Sequence, residues 1–156
     1  AVGSRVVGGP AGDVALARAG FAVTGLDISR RGVAEARQLA AKAGVPVTYR
    51  VGDCLKLAAS HRRRYDWVFE HTCFCAIDPD RRDDYVHAVV AALKPRGHFL
   101  GVFYHIRPKT GPPFGTTREE LIERFGGTFR LLRETVPRSF ANRKGKELLM
   151  LWGKKT

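Results

Sequence analysis

Segments of strand character and helix character alternate along almost the whole chain, and that alternation limits the fold more than any other feature. Arg5–Val7 is a short apolar run stopped by Gly8-Gly9-Pro10, and Asp13–Arg18 reads as a short helix before Gly20. Phe21–Leu26 has strand composition and meets Asp27. Ser29 is placed to cap a helix over Arg30–Ala43, with Val33, Ala36, Leu39 and Ala40 on one face and Gly44 as the stop. Val47–Val51, Tyr65–Phe69 and His98–Tyr104 read as strands. Asp80–Leu93 and Thr117–Phe125 read as helices, the second with Thr117 and Glu120 at capping-box spacing. Phe129–Val136 and Glu147–Trp152 follow as a strand pair with no helix between them. Strands separated by helices join as βαβ units, so the fold class is α/β with a mostly parallel sheet, and the last pair predicts an antiparallel edge.

Length and charge narrow the function. The 156 residues suit one domain. The longest apolar runs, such as Ala88–Leu93, are too short to span a bilayer, and no stretch has signal-peptide anatomy. Three cysteines, Cys54, Cys73 and Cys75, are odd in number and none has C-x-x-C spacing. That pattern fits a reducing, cytoplasmic setting and argues against a structural zinc site. The net charge of +12 raises a polyanion partner as an alternative. However, the densest basic clusters, His61–Arg64 and Arg143–Lys146, are not interleaved with aromatics, which favours solvated faces.

In open α/β sheets ligands bind beyond the carboxyl ends of the strands. The unusual residues of this chain fall at those ends: Gly8 through Gly12, Asp27, Asp53, Glu70 through Cys75, and Tyr104 through Phe114. Their convergence points to one small-molecule site. A glycine loop between strand and helix, here Gly8, Gly9 and Gly12, lets a ligand approach the backbone, although a simple turn has the same composition. Asp27, about 20 residues on, suits the hydroxyls of an adenosine ribose; the alternative is a loop carboxylate. Asp53 suits an adenine amino group or a turn. His71, Cys73 and Cys75 are too close in sequence to be a convincing metal triad. Arg81 reads as helix-surface charge. Phe114, after two stiffening prolines, reads as a ring offered to a ligand or as part of a rigid connection.

Taken together, VTGLDIS (Val23–Ser29), GDCL (Gly52–Leu55), the run Tyr65–Val86 with its CAIDP turn, LKPRGHFLGVFY (Leu93–Tyr104), GPPF (Gly111–Phe114) and RKGKE (Arg143–Glu147) resemble the thiopurine methyltransferase-like superfamily. The closer resemblance is to its thiol and halide/thiocyanate branch. The resemblance implies a class I methyltransferase fold, strand order 3-2-1-4-5-7-6, with S-adenosyl-L-methionine as cofactor. It implies that Asp27 holds the ribose, that Ile28 beside it also binds the cofactor, and that Asp53 and Cys54 form the adenine side. Glu70, His71 and Thr72 would run along the methionine part. Arg82, Tyr104 and Phe114 would face the acceptor, with His71 as the base if one is needed.

The implied reaction is in-line S_N2 methyl transfer to a small soft nucleophile, a thiol or a halide or thiocyanate. Two departures qualify it. The glycine loop replaces the family's spacing with Val7-Gly8-Gly9-Pro10-Ala11-Gly12. About four residues precede the first strand, where the family carries a helix and a lid. The expectation is therefore a single domain, 1–156, lacking that N-terminal part and prone to self-association. The alternatives are an inactive or cofactor-binding-only remnant, a basic nucleic-acid-binding domain and, more remotely, a nicotinamide-dependent oxidoreductase.

Overall fold

The computed structural model describes residues 3–10, 12–107 and 110–156. Ala11 of the glycine loop, and Pro108 and Lys109 of the segment between Tyr104 and Phe114, lie outside the described residues, as do Ala1 and Val2. Seven strands form one sheet: β1 (Arg5–Gly8), β2 (Ala22–Asp27), β3 (Val47–Val51), β4 (Tyr65–His71), β5 (Leu93–Tyr104), β6 (Phe129–Thr135) and β7 (Glu147–Lys154). Their order is β3-β2-β1-β4-β5-β7-β6. β1 to β5 run parallel, and β7 is antiparallel to β5 and β6. Both the order and the antiparallel edge match the sequence expectation. Helices α1 (Asp13–Arg18), α2 (Arg30–Ala43), α3 (Arg82–Ala92) and α4 (Arg118–Phe125) complete the connections.

Alternation along β5 explains the main core. Phe99, Gly101 and Phe103 point to the side covered by α3 and α4. There they meet Phe74, Phe125, Phe129 and Trp152, all at most 1% exposed. Each such ring removed from water contributes roughly 1.5–3 kcal/mol. A smaller core, Val33, Ala36, Ala40 and Tyr49, lies under α2. Leu39 was expected on that face but is 62% exposed, because it falls at the edge of the stripe set by residues 33, 36 and 40.

Two element starts differ from the sequence reading. Asp78 accepts the Asp80 N–H at 2.9 Å and opens a short 3-10 turn, Pro79–Arg81, so α3 begins only at Arg82. β5 starts early, with Leu93 paired to Tyr65 before an irregularity restores the register at Trp67 and His98. The Lys154 ammonium donates to the Val90 and Leu93 carbonyls at 2.8 and 3.0 Å, capping the end of α3. Thr117 does cap α4, accepting the Glu120 N–H at 3.1 Å. The reciprocal half of the box is not made, because the Glu120 carboxylate is held by Arg82, Arg124 and Thr116.

The helices cover the sheet unevenly. α1 and α2 pack on β2 and β3, whereas α3 and α4 pack on β4, β5 and β6. On the other face of β4, β5 and β7, the apolar side chains of Trp67, Leu100, Val102, Leu149 and Leu151 are only half-buried.

Candidate functional site

A cavity of about 540 Å³ opens at the carboxyl ends of β1, β2, β3 and β4. Small-molecule sites commonly fall between ~300 and 1,000 Å³. Of the residues expected to hold a cofactor, Gly8, Gly9, Asp27, Ile28, Asp53, Cys54, Glu70, His71 and Thr72 all line it. A Cβ placed on Gly9 would meet nothing within 4 Å, so the backbone there is open to an occupant. Gly12 does not line the cavity. It precedes α1 with φ +84°, and a Cβ there would lie 2.9 Å from the Phe69 ring. It carries the chain over Phe69 into α1.

Asp27 is set by its neighbours. Its Oδ1 accepts the Ser29 N–H at 2.8 Å. Its Oδ2 accepts no hydrogen bond among the described residues, and it lies against Gly32, where a Cβ would sit 2.4 Å from it. Only glycine leaves the carboxylate that space. The Gly52 N–H donates to the Asp27 carbonyl at 2.9 Å and ties the ends of β2 and β3 together. Asp53 then turns into the cavity wall, with Oδ1 accepting the Leu55 N–H at 2.9 Å. Ile28, 73% exposed, is an apolar side chain at the rim.

Glu70 lines the cavity as expected, with its side chain engaged by the loop that follows. It is 2% exposed and both its oxygens are used. Oε1 accepts the Cys73 and Phe74 N–H groups at 3.0 and 2.8 Å, and Oε2 accepts the Tyr85 hydroxyl at 3.1 Å. It braces the loop at Thr72, whose φ is +68°. Burial pushes its carboxyl up to about 7, against the pull of those hydrogen bonds.

His71 stands at the end of β4 with Nε2 3.5 Å from Oε2 of Glu147, which is 5% exposed. Arg143 approaches the same oxygen at 3.7 Å and lays its guanidinium 4.3 Å over the Tyr104 ring. Tyr104 and Phe114 lie outside the cavity lining but at the same end of the sheet. The Phe114 N–H donates to the Cys75 carbonyl at 2.6 Å, and the Thr116 N–H to the Tyr104 carbonyl at 3.1 Å.

Arg82 corrects the expectation of an acceptor-facing arginine. It is 1% exposed. Its guanidinium donates to the Phe114 and Gly115 carbonyls, each at 3.2 Å, and to Glu120 at 2.9 Å, and it stacks 4.3 Å over Phe74. As the first residue of α3 it points into the core and fastens the Phe114 segment to the 3-10 turn at Phe74–Ala76. Arg81, read as surface charge, is the arginine that lines the cavity, its Nε 2.9 Å from Asp84. Helical phase decides between the two, and the extra turn at Pro79 hides that phase in the sequence. Arg143 and Glu147 were also missed, although the motif RKGKE that carries them was visible. Among the described residues, no group of three metal-ligating side chains is arranged to hold an ion. No described helix is long and apolar enough to cross a membrane.

The chain is similar to known proteins in sequence and in shape. The family model of thiopurine S-methyltransferase matches residues 7–150. Thiocyanate methyltransferase 1 of Brassica oleracea is 34% identical over 94 residues, covering 58% of this chain and 41% of that protein. Thiopurine S-methyltransferase of Acinetobacter baylyi is 27% identical over 105 residues, covering 65% and 48%. The matched segment thus spans less than half of either relative. Among solved structures, a SAM-dependent methyltransferase from Methanosarcina mazei superposes with a TM-score of 0.84 at 18% identity, covering 99% of this chain and 93% of that one. That likeness speaks for the fold.

Proposed function

The chain belongs to the thiopurine S-methyltransferase family, and from that premise we propose that it binds S-adenosylmethionine and transfers a methyl group to a small soft nucleophile, a thiol first and a halide or thiocyanate second. The observation that carries the reading is the pairing of Asp27 and Asp53 on one cavity floored by Gly8 and Gly9. The residues fit the cofactor. Asp27 keeps Oδ2 free beside Gly32 for a ribose hydroxyl, and Asp53 keeps its second oxygen for an adenine amino group. Ile28 and Leu55 offer apolar contact to a flat base. When bound, the cofactor supplies an electrophilic methyl carbon on a positively charged sulfur.

The chain's own residues then position the acceptor and manage its proton. His71 lies between the cavity and the Tyr104–Arg143–Glu147 cluster, so an acceptor placed there meets an aromatic ring, a cation and an imidazole. For a protonated thiol, the His71 imidazole accepts the S–H proton, and the Glu147 carboxylate behind it stabilises the resulting cation. For a halide or thiocyanate no base is needed, and positioning with exclusion of water does the work. The names of the Brassica and Acinetobacter relatives support this choice of acceptor class.

The test is methyl-label transfer to a panel of thiols, iodide and thiocyanate. His71→Ala is expected to slow thiol methylation at a pH where the thiol is protonated and to spare the preformed anions. No transfer to any member of the panel by protein that binds the cofactor would overturn the acceptor assignment and favour a binding-only remnant.

A further inference from the structure

Cys54 follows Asp53 after β3, Cys73 follows Thr72 after β4, and their sulfurs are 3.6 Å apart in the wall of the cavity. We propose that this pair is a redox-responsive dithiol, oxidised by a peroxide to a disulfide that weakens the cavity's hold on its ligand. The proposal rests on the cofactor reading for its consequence, but not for its chemistry.

The geometry favours the bond. The two thiols already touch, and both are partly accessible from the cavity. With Cys54 attacking first, and equally with the two sulfurs exchanged, the same disulfide forms. The contact with the Cys73 thiol lowers the pKa of Cys54, against burial and the nearby Asp53 and Glu70 carboxylates, while the same contact and burial raise that of Cys73. The Cys54 sulfur attacks the peroxide O–O bond, forming a sulfenic acid and releasing water. The Cys73 sulfur then displaces the sulfenic hydroxyl, and its proton leaves with that hydroxyl as a second water. Two thiols and one hydrogen peroxide thus give one disulfide and two waters.

The consequence follows from what is anchored. A disulfide needs its sulfurs about 2.05 Å apart, so the pair must close by roughly 1.5 Å. Cys73 is held by its N–H on the buried Glu70 carboxylate at 3.0 Å. The Cys54 side is held by bonds inside its own turn, the Leu55 and Lys56 N–H groups on Asp53 at 2.9 and 3.0 Å, so that turn moves as a unit and carries Asp53 away from the position that meets the ligand. Loss of one hydrogen bond to a carboxylate at that end corresponds to at least about tenfold weaker binding.

The experiment treats the full chain with increments of hydrogen peroxide and maps linked peptides by mass spectrometry. S-adenosylhomocysteine is titrated into reduced, oxidised and re-reduced protein. Cys75→Ala serves as one control, because Cys75 is buried, outside the cavity lining and turned to the Thr72 carbonyl. Cys73→Ser serves as the other, because it cannot bridge. The expected result is a Cys54–Cys73 linked peptide in the wild type and in Cys75→Ala, at least about tenfold weaker affinity after oxidation, full recovery with dithiothreitol, and no such link in Cys73→Ser. Oxidation that produces a different link, or the Cys54–Cys73 link with unchanged affinity, overturns the proposal. If the reduced chain does not bind S-adenosylhomocysteine at all, the cofactor reading fails, and the presence or absence of the linked peptide decides the dithiol without it.

Discussion

Gly32→Ala should separate stability from ligand binding, because the glycine that costs α2 something is the one that makes room for Asp27. Gly32 lies in the first turn of the helix and has no left-handed conformation that alanine would strain. Alanine in place of glycine within a helix stabilises by up to about 1 kcal/mol, or ~2–4 °C in melting temperature for a domain of this size. The new Cβ would sit 2.4 Å from Oδ2 of Asp27, about 1 Å inside ordinary contact. The flexible end of Asp27 yields more easily than the helix backbone, so the fold survives and the carboxylate turns. It is restrained by the Ser29 N–H on its other oxygen, so the free oxygen is the one displaced. A hydrogen bond to a charged group contributes about 1.5–3 kcal/mol, so affinity for S-adenosylhomocysteine should fall roughly 10- to 150-fold. Calorimetric titration beside a thermal melt reads both quantities. A variant that melts no lower and binds as tightly as the wild type would show that Asp27 does not hold the ligand.

The remaining predictions concern the core, the buried acid and the uneven sheet. Arg82→Ala removes a guanidinium that is 1% exposed and orphans the Phe114 and Gly115 carbonyls; it should cost about 3–5 kcal/mol and lower the ligand-free melting temperature by at least about 6 °C, whereas an acceptor-contact role would leave that temperature unchanged. Glu70 has its folded pKa raised from 4.5 to about 7, so its contribution to stability is complete below about 4.5 and is lost as pH rises through about 7. Glu70→Gln should flatten that decline, on the order of 3 kcal/mol between pH 5 and 8 in chemical denaturation; an unchanged slope would assign the pH dependence elsewhere. The half-buried apolar face at Trp67, Leu100, Val102, Leu149 and Leu151 should drive concentration-dependent self-association in sedimentation velocity, and a clean monomer at high concentration would contradict it.

Much of the fold was legible because periodicity and punctuation agreed. Ser29 and Gly44 bracket α2, Gly52-Asp53 follows β3, and the helix-free closing pair marks the antiparallel edge. The strand ends of an α/β sheet share one edge, so placing Asp27 and Asp53 at strand ends was enough to bring them to one cavity. What escaped depended on side-chain direction. The choice between Arg81 and Arg82 turns on a 3-10 turn capped by Asp78, which shifts helical phase without altering composition. Glu70 looks like a ligand contact from its strand-end position, yet both its oxygens are spent on the next turn and on Tyr85. Glu120 sits at capping-box spacing, but two arginines and a threonine compete for its carboxylate. The meeting of His71 with Glu147 and Arg143 joins residues some seventy positions apart. The β4-β5-β7 adjacency creates that meeting, and local sequence pattern does not report it.

The central claim is that Asp27 and Asp53 face one S-adenosylmethionine site. Isothermal titration of S-adenosylhomocysteine into the wild type, Asp27→Asn, Asp53→Asn and the double variant tests it most directly. The expected result is one site per chain, at least about tenfold weaker binding for each single variant, and losses in the double variant that combine, with ligand-free melting temperatures little changed. Wild-type affinity retained in Asp27→Asn and in the double variant would contradict it and move the ligand to another part of the molecule.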